Sequence, residues 1–198
     1  MFVKIDFNAT RLLISLNIIV FLLGFLVHSE SVSLLGGSQY LMTHFGVYKN
    51  VVTSNILWAN FVHNGLIHLG MNMLALHNIG TIVESRIGKW YFLNFYIITG
   101  IISMLISGLY YDSYVLGASG CICGVFGILS VMIVHNYLTN NNSNQASYLM
   151  KTMTKNIIIL TVLSLLPFVA GLTHLIGFIV GILAGIALII KYPHYRFF

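Results

Sequence analysis

Three long runs of this chain carry no charged residue: Asn50 to Val83, Ser113 to Met150 and Asn156 to Ile190. A helix crosses the hydrocarbon core of a bilayer with roughly 20 predominantly apolar residues. No water is available there to bond an open backbone group, so a crossing segment must satisfy its own N–H and C=O groups, as a helix does. Runs this long and this apolar therefore commit the chain to membrane-spanning helices. Composition points the same way, with 58% hydrophobic and only 7% charged residues. The fold class that follows is an all-α integral membrane protein.

Two further apolar stretches, Leu12 to Ser29 and Trp90 to Tyr111, join these runs, and together they give six expected spans, near 11–29, 60–82, 90–110, 114–137, 151–169 and 173–190, within one domain covering 1–198. Leu12 to Ser29 is uncharged, with Asn17 as its one strongly polar interior residue. Pro167 and Gly171 break the last run in two. Lys4 and Arg11 precede the first apolar run as in a signal peptide, but Phe25, Leu26 and His28 stand where small cleavage-site residues belong, so a retained helix is expected. The longest outer connection, Ser29 to Ala59, has the glycines and aromatics of an interfacial structure, and Thr139 to Asn144 reads as a polar turn. No soluble domain is expected on either tail.

Charge sets the orientation. With both termini cytoplasmic, Lys4, Arg11, Arg86, Lys89, Lys151, Lys155, Lys191 and Arg196 lie inside and Lys49 alone lies outside. The net charge of +5 then reflects topology and anionic headgroups, and gives no reason to expect a nucleic-acid partner. Cys121 and Cys123 are two residues apart on one expected helix and diverge by about 200°, which suits packing rather than a disulfide or a shared metal.

Polar groups inside spans are costly, and so mark candidate sites. Ser119 lies in Gly117-Ala118-Ser119-Gly120 and His174 opens a run with Gly177, Gly181 and Gly185. Taken singly, the small-residue motif also suits close helix packing and the histidine also suits a structural hydrogen bond. Position favours a site. Counting a helical rise of about 1.5 Å per residue from Asp112 places Ser119 about 10 Å deep, at a level shared with His174, His63, His68 and Asn72. Ser119 is then a nucleophile with His174 as its base, near a helix N-terminus that favours a developing oxyanion. His68 and Asn72 are four residues apart, share a helix face and are placed to donate to that oxyanion. His63, about 140° round from His68, suits a supporting role. Glycines 120, 124 and 127 on one helix, with 177, 181 and 185 on the other, allow close approach of the two backbones. None of Asp6, Glu30, Glu84 and Asp112 is placed as a third triad member, so a Ser-His dyad is expected. No His-Glu-x-x-His motif is present, and no metal or cofactor is implied.

The ordered set His63-x4-His68-x3-Asn72, Gly117-Ala118-Ser119-Gly120 and His174-x2-Gly177-x3-Gly181 resembles the rhomboid intramembrane serine proteases, over roughly residues 55 to 190. The Glu84-Ser85-Arg86-Ile87-Gly88 loop is similar to theirs as well. The resemblance implies a six-helix rhomboid-like bundle in a prokaryotic plasma membrane. It implies Ser119 as nucleophile, His174 as base, and His68, Asn72 and the Ser119 N–H as oxyanion hole. Glu84 and Arg86 are implied to be structural, tying cytoplasmic helix ends together. Two positions depart from the family pattern. Ser54-Asn55 stands where a Trp-Arg pair is usual, and Cys123 stands where an aromatic residue usually stacks beneath the catalytic imidazole. With Cys123 there, His174 is expected to be less rigidly oriented, or another ring to substitute.

The implied activity is endoproteolysis of transmembrane proteins near the outer face. The implied preference is for segments weakened by Gly, Pro or polar residues, because a helical peptide hides its scissile bond. The fifth helix, short and without a polar residue required by this chemistry, is the expected gate. A non-catalytic relative that binds transmembrane clients is the alternative; it predicts loss of the serine or the histidine, and both are present. A small transporter is a third class, opposed by the lack of an inverted repeat or paired intramembrane acids.

Overall fold

The computed structural model describes residues 8–27, 39–48, 56–139, 144–166 and 169–192. Lys4, Asp6, His28, Glu30, Lys49, Ser54-Asn55, Pro167 and Arg196 lie outside the described residues, as does most of the polar turn after Thr139. The described elements are helical: α1 (Ala9–Val27), α2 (Gln39–Phe45), α3 (Ile56–Ala59), α4 (Leu66–Ala75), α5 (Thr81–Ile87), α6 (Lys89–Gly108), α7 (Ser119–Thr139), α8 (Asn144–Ser164) and α9 (Gly171–Lys191). A π-helical turn, Leu76–Gly80, joins α4 to α5 into one continuous rod. Four segments among the described residues are long and apolar enough to cross a bilayer: Leu66–Ile87, α6, α7 and α9. The chain is a multi-pass membrane protein. α1 is apolar over a shorter stretch, Ala9–Gly24, and the middle of α8 carries Lys151 and Lys155.

α7 is the central helix. Its buried residues run from Gly120 to Asn136 around the whole circumference, as expected of a helix packed on every side. Its main partner is α9, with α6 alongside both. The α7–α9 contact is backbone against backbone. A Cβ added to Gly177 would strike the carbonyl oxygen of Gly120, one on Gly181 that of Gly124, and one on Gly127 that of Phe178. Small residues four apart form a flat stripe, and two such stripes let the axes approach. Away from this contact, Leu22, Leu23, Leu175, Leu183 and Ile190 are exposed, the apolar surface a bilayer requires.

Several helix starts differ from those expected. The second span begins at Leu66, not near 60, because Asn60 to Gly65 forms an irregular turn in which Gly65 has φ 89°. It continues to Ile87, so Glu84 and Arg86 stand on the last turn of α5 rather than in a loop, and Gly88 with φ 80° makes the turn. α7 begins at Ser119, not near 114, because Tyr114 to Ala118 is non-helical with Gly117 at φ 108°. α8 runs from Asn144 to Ser164, several residues earlier than 151–169. In each case apolar character marks what contacts lipid or protein, whereas the helix boundary is set by where the backbone turns.

Candidate active site

The segment before Ser119 is fixed by backbone bonding. Val115 exchanges N–H···O bonds with Val47 at 2.9 and 2.8 Å, and the Gly117 N–H donates to the Ala59 carbonyl at 2.9 Å. The Ala118 N–H donates to His63 Nε2 at 3.4 Å, while His63 Nδ1 lies 3.2 Å from the Phe61 carbonyl. Because Nε2 accepts and Nδ1 faces an acceptor, His63 is the neutral Nδ1–H tautomer. The Ala118 carbonyl then takes the first bond of α7, from the Ile122 N–H at 3.0 Å. Ser119 is thus the first residue of α7, where the leading N–H groups have no intrahelical partner. Its expected depth, counted as helical rise from Asp112, does not apply, since the intervening residues are not helical.

His63 is held here by contacts other than those its spacing suggested. It lies outside α4, so its angular offset from His68 has no meaning; instead its buried ring packs edge-on against His68, centroids 5.1 Å apart. His68 Nδ1 accepts from the Asn64 N–H at 3.3 Å, which leaves Nε2 to carry the proton and donate. That edge of the ring faces Gly117, where a Cβ would sit 2.9 Å from Nε2 and 2.7 Å from Cε1. Asn72, one turn further along α4, brings Nδ2 to 3.7 Å from the same point. Asn72 Nδ2 is buried and has no hydrogen-bond partner among the described residues. Leaving such a donor unsatisfied costs about 1–3 kcal/mol.

His174 arrives on the first turn of α9. Tyr111 Oη accepts from the Leu172 N–H at 3.0 Å, and Thr173 Oγ1 donates to Ser107 Oγ at 2.8 Å, which pins this end to α6 and the loop after it. A Cβ on Gly120 would meet Thr173 Cγ2 at 3.1 Å, so the neighbours of Ser119 and His174 are in contact. Among the described residues no hydrogen bond joins Ser119 to His174. The bonded imidazole nitrogen is Nδ1, 2.8 Å from Ser164 Oγ at the end of α8. Such bonds are often open in unliganded enzymes and close with substrate. Cys123 is buried in α7, and among the described residues no ring stacks on the imidazole. Gly181 lies further down the α7–α9 contact, below Gly177.

Glu84 stands apart from this cluster. Its carboxylate accepts from the Ala9 N–H at 2.6 Å, the Thr10 N–H at 2.8 Å and the Thr10 hydroxyl at 2.7 Å, capping the N-terminus of α1. Arg86 is half-buried two residues on. Sequence reasoning missed Ser164, Tyr111 and Asn60. Ser164 met the criterion used for the others, a polar residue in an uncharged run, but Pro167 set it apart from His174. Asn60 Oδ1 accepts from Cys121 Sγ at 3.3 Å, a contact across 61 residues that no local pattern announces.

Comparison with known proteins matches residues 53–191 to the family model described as the Rhomboid domain. RHOMBOID-like protein 4 of Arabidopsis thaliana is 33% identical over 172 residues, covering 82% of this chain and 42% of that protein. Rhomboid-type serine protease 2 of Emericella nidulans is 30% identical over 128 residues, 64% of this chain and 25% of that one. Rhomboid protease GluP of Bacillus subtilis is 29% identical over 188 residues, 90% of this chain and 34% of that one. The chain therefore spans less than half the length of each of these relatives. The matched region contains α4 to α9 and every residue of the cluster around Ser119, and on that ground the chain belongs to the rhomboid family.

Proposed function

We propose that this protein is an intramembrane serine endopeptidase that cuts transmembrane segments of other membrane proteins. One observation carries the reading: the buried, unpartnered Nδ2 of Asn72 and the donating edge of His68 converge beside Gly117, two residues before Ser119. Buried donors without partners suit an acceptor that exists only during reaction, and an oxyanion is such an acceptor. In this reading Ser119 Oγ attacks the scissile carbonyl as His174 takes its proton. The oxygen, now negative, accepts from His68 Nε2–H, Asn72 Nδ2–H and the Ser119 N–H. His174 returns the proton to the leaving amine, and water hydrolyses the acyl-enzyme by the same route.

The proposal extends to topology. α1 and α8 complete a six-span bundle with both termini cytoplasmic, in a prokaryotic plasma membrane, and the site opens near the outer face. Glu84 and Arg86 then hold the cytoplasmic end, Glu84 by capping α1. The name of GluP and its match over nine-tenths of this chain favour a protease over a client-binding relative, as does retention of both Ser119 and His174. The test is cleavage of a transmembrane substrate with a Gly- or Pro-weakened segment in liposomes. Wild type is expected to cut it, and Ser119→Ala and His174→Ala to leave it intact at equal folding. Equal cutting by all three contradicts the dyad.

A further inference from the structure

Ser164 is the last residue of α8, half-buried, with Oγ 2.8 Å from His174 Nδ1. The approach depends on Gly171, the first residue of α9. A Cβ there would strike the Ser164 carbonyl oxygen and stand 3.2 Å from its carbonyl carbon. No acid competes for that nitrogen among the described residues. Glu84 is held at the N-terminus of α1, and Asp112 lies in the exposed loop before α7. Among the described residues no ring stacks on the imidazole either. The hydroxyl of Ser164 is therefore what the described structure offers His174 as an anchor.

A neutral imidazole is a base through one nitrogen only, and the partner of the other decides which. We infer that Ser164 is the positioning residue of His174, accepting from Nδ1–H so that Nε2 is left as the base for Ser119. This rests on the proteolytic reading above. The position corresponds to that of the carboxylate in a Ser-His-Asp triad, but with a neutral oxygen. Hydrogen bonds to a charged partner are roughly twice as strong as neutral ones, so Ser164 orients the ring more than it stabilises the imidazolium. Because Ser164 ends α8, the orientation of the base also follows the outer end of that helix. α8 buries only Ala146 and Met153 among its described side chains, and so is lightly held.

The experiment compares wild type, Ser164→Ala, Ser164→Thr, Ser119→Ala and His174→Ala in liposomes. It reads kcat and KM, with nitrogen-15 spectra of the imidazoles, and the His174→Ala sample identifies the His174 signals. Ser164→Ala is expected to lower kcat about tenfold, the scale of one lost neutral hydrogen bond, and to leave KM near wild type. It is also expected to turn a single His174 tautomer into a mixture. Ser164→Thr, which keeps the hydroxyl, restores both. Unchanged kcat and unchanged His174 signals in Ser164→Ala overturn the inference. A loss of kcat with the tautomer intact overturns it too, since packing is then the cause. If Ser119→Ala or His174→Ala cuts like wild type, the proteolytic reading fails instead, and the tautomer signals still decide the role of Ser164.

Discussion

At the scale of single residues, polar side chains in apolar runs, taken with their order along the chain, single out Ser119, His174, His68 and Asn72 as candidates, because the bilayer makes such groups expensive. The same criterion also admits Ser164, which sequence spacing alone did not connect to His174. Their bonding was not legible. The neutral state of His63 and the donating edge of His68 follow from the Phe61 carbonyl and the Ala118 and Asn64 N–H groups, all in irregular turns. Asn72 gives the sharpest residue-level prediction. Its Nδ2 has no partner among the described residues, so Asn72→Ala removes a buried unsatisfied donor. Thermal stability is expected to hold or rise, while kcat falls about 100-fold or more, the usual cost of losing an oxyanion donor. Parallel melting and single-turnover measurements check this. A fall in stability together with unchanged kcat would make Asn72 a packing residue.

At the scale of elements, the glycine spacing predicted the close contact of α7 and α9, and that contact is backbone to backbone. The helix starts were less legible, since hydropathy reports burial rather than dihedral angles. Gly65 and Gly117 adopt positive φ and stop α4 and α7 from starting earlier. The second of these stops is what sets Ser119 on the first turn. The glycine contact is testable at Gly181, where a side chain would meet the backbone of Gly124 and could not be accommodated by a rotamer change. Gly181→Val is expected to cost about 1–3 kcal/mol by overpacking and to lower kcat at least about tenfold, because Ser119 and His174 ride on the two helices being separated. Denaturation and turnover in the same detergent measure the two effects. Full activity would mean that the contact does not position the dyad.

At the scale of the whole molecule, the first turns of α4 and α9 both approach the start of α7, where His68 faces Gly117 and Thr173 lies against Gly120. Their dipoles give that end of the bundle a positive character, while the leading N–H groups of α9 are already bonded, that of Leu172 to Tyr111 Oη and those of Thr173 and His174 to the Ala170 carbonyl. The integral-membrane fold class was legible from charge-free runs alone, since few other folds accommodate them. The family was legible from the order of its motifs, and the match over residues 53–191 establishes it. What required the structure was the company Ser119 keeps, assembled from loops and helix ends far apart in the chain. In the proposed mechanism Ser119 is a nucleophile activated by His174 and served by an oxyanion hole. A fluorophosphonate, which reacts with an activated serine whatever the substrate, tests it most directly. Intact-mass and peptide mapping are expected to find one adduct, on Ser119, absent in His174→Ala and slower to form in Asn72→Ala. An adduct forming at the same rate in His174→Ala, or none on Ser119 in the folded wild type, would contradict the account.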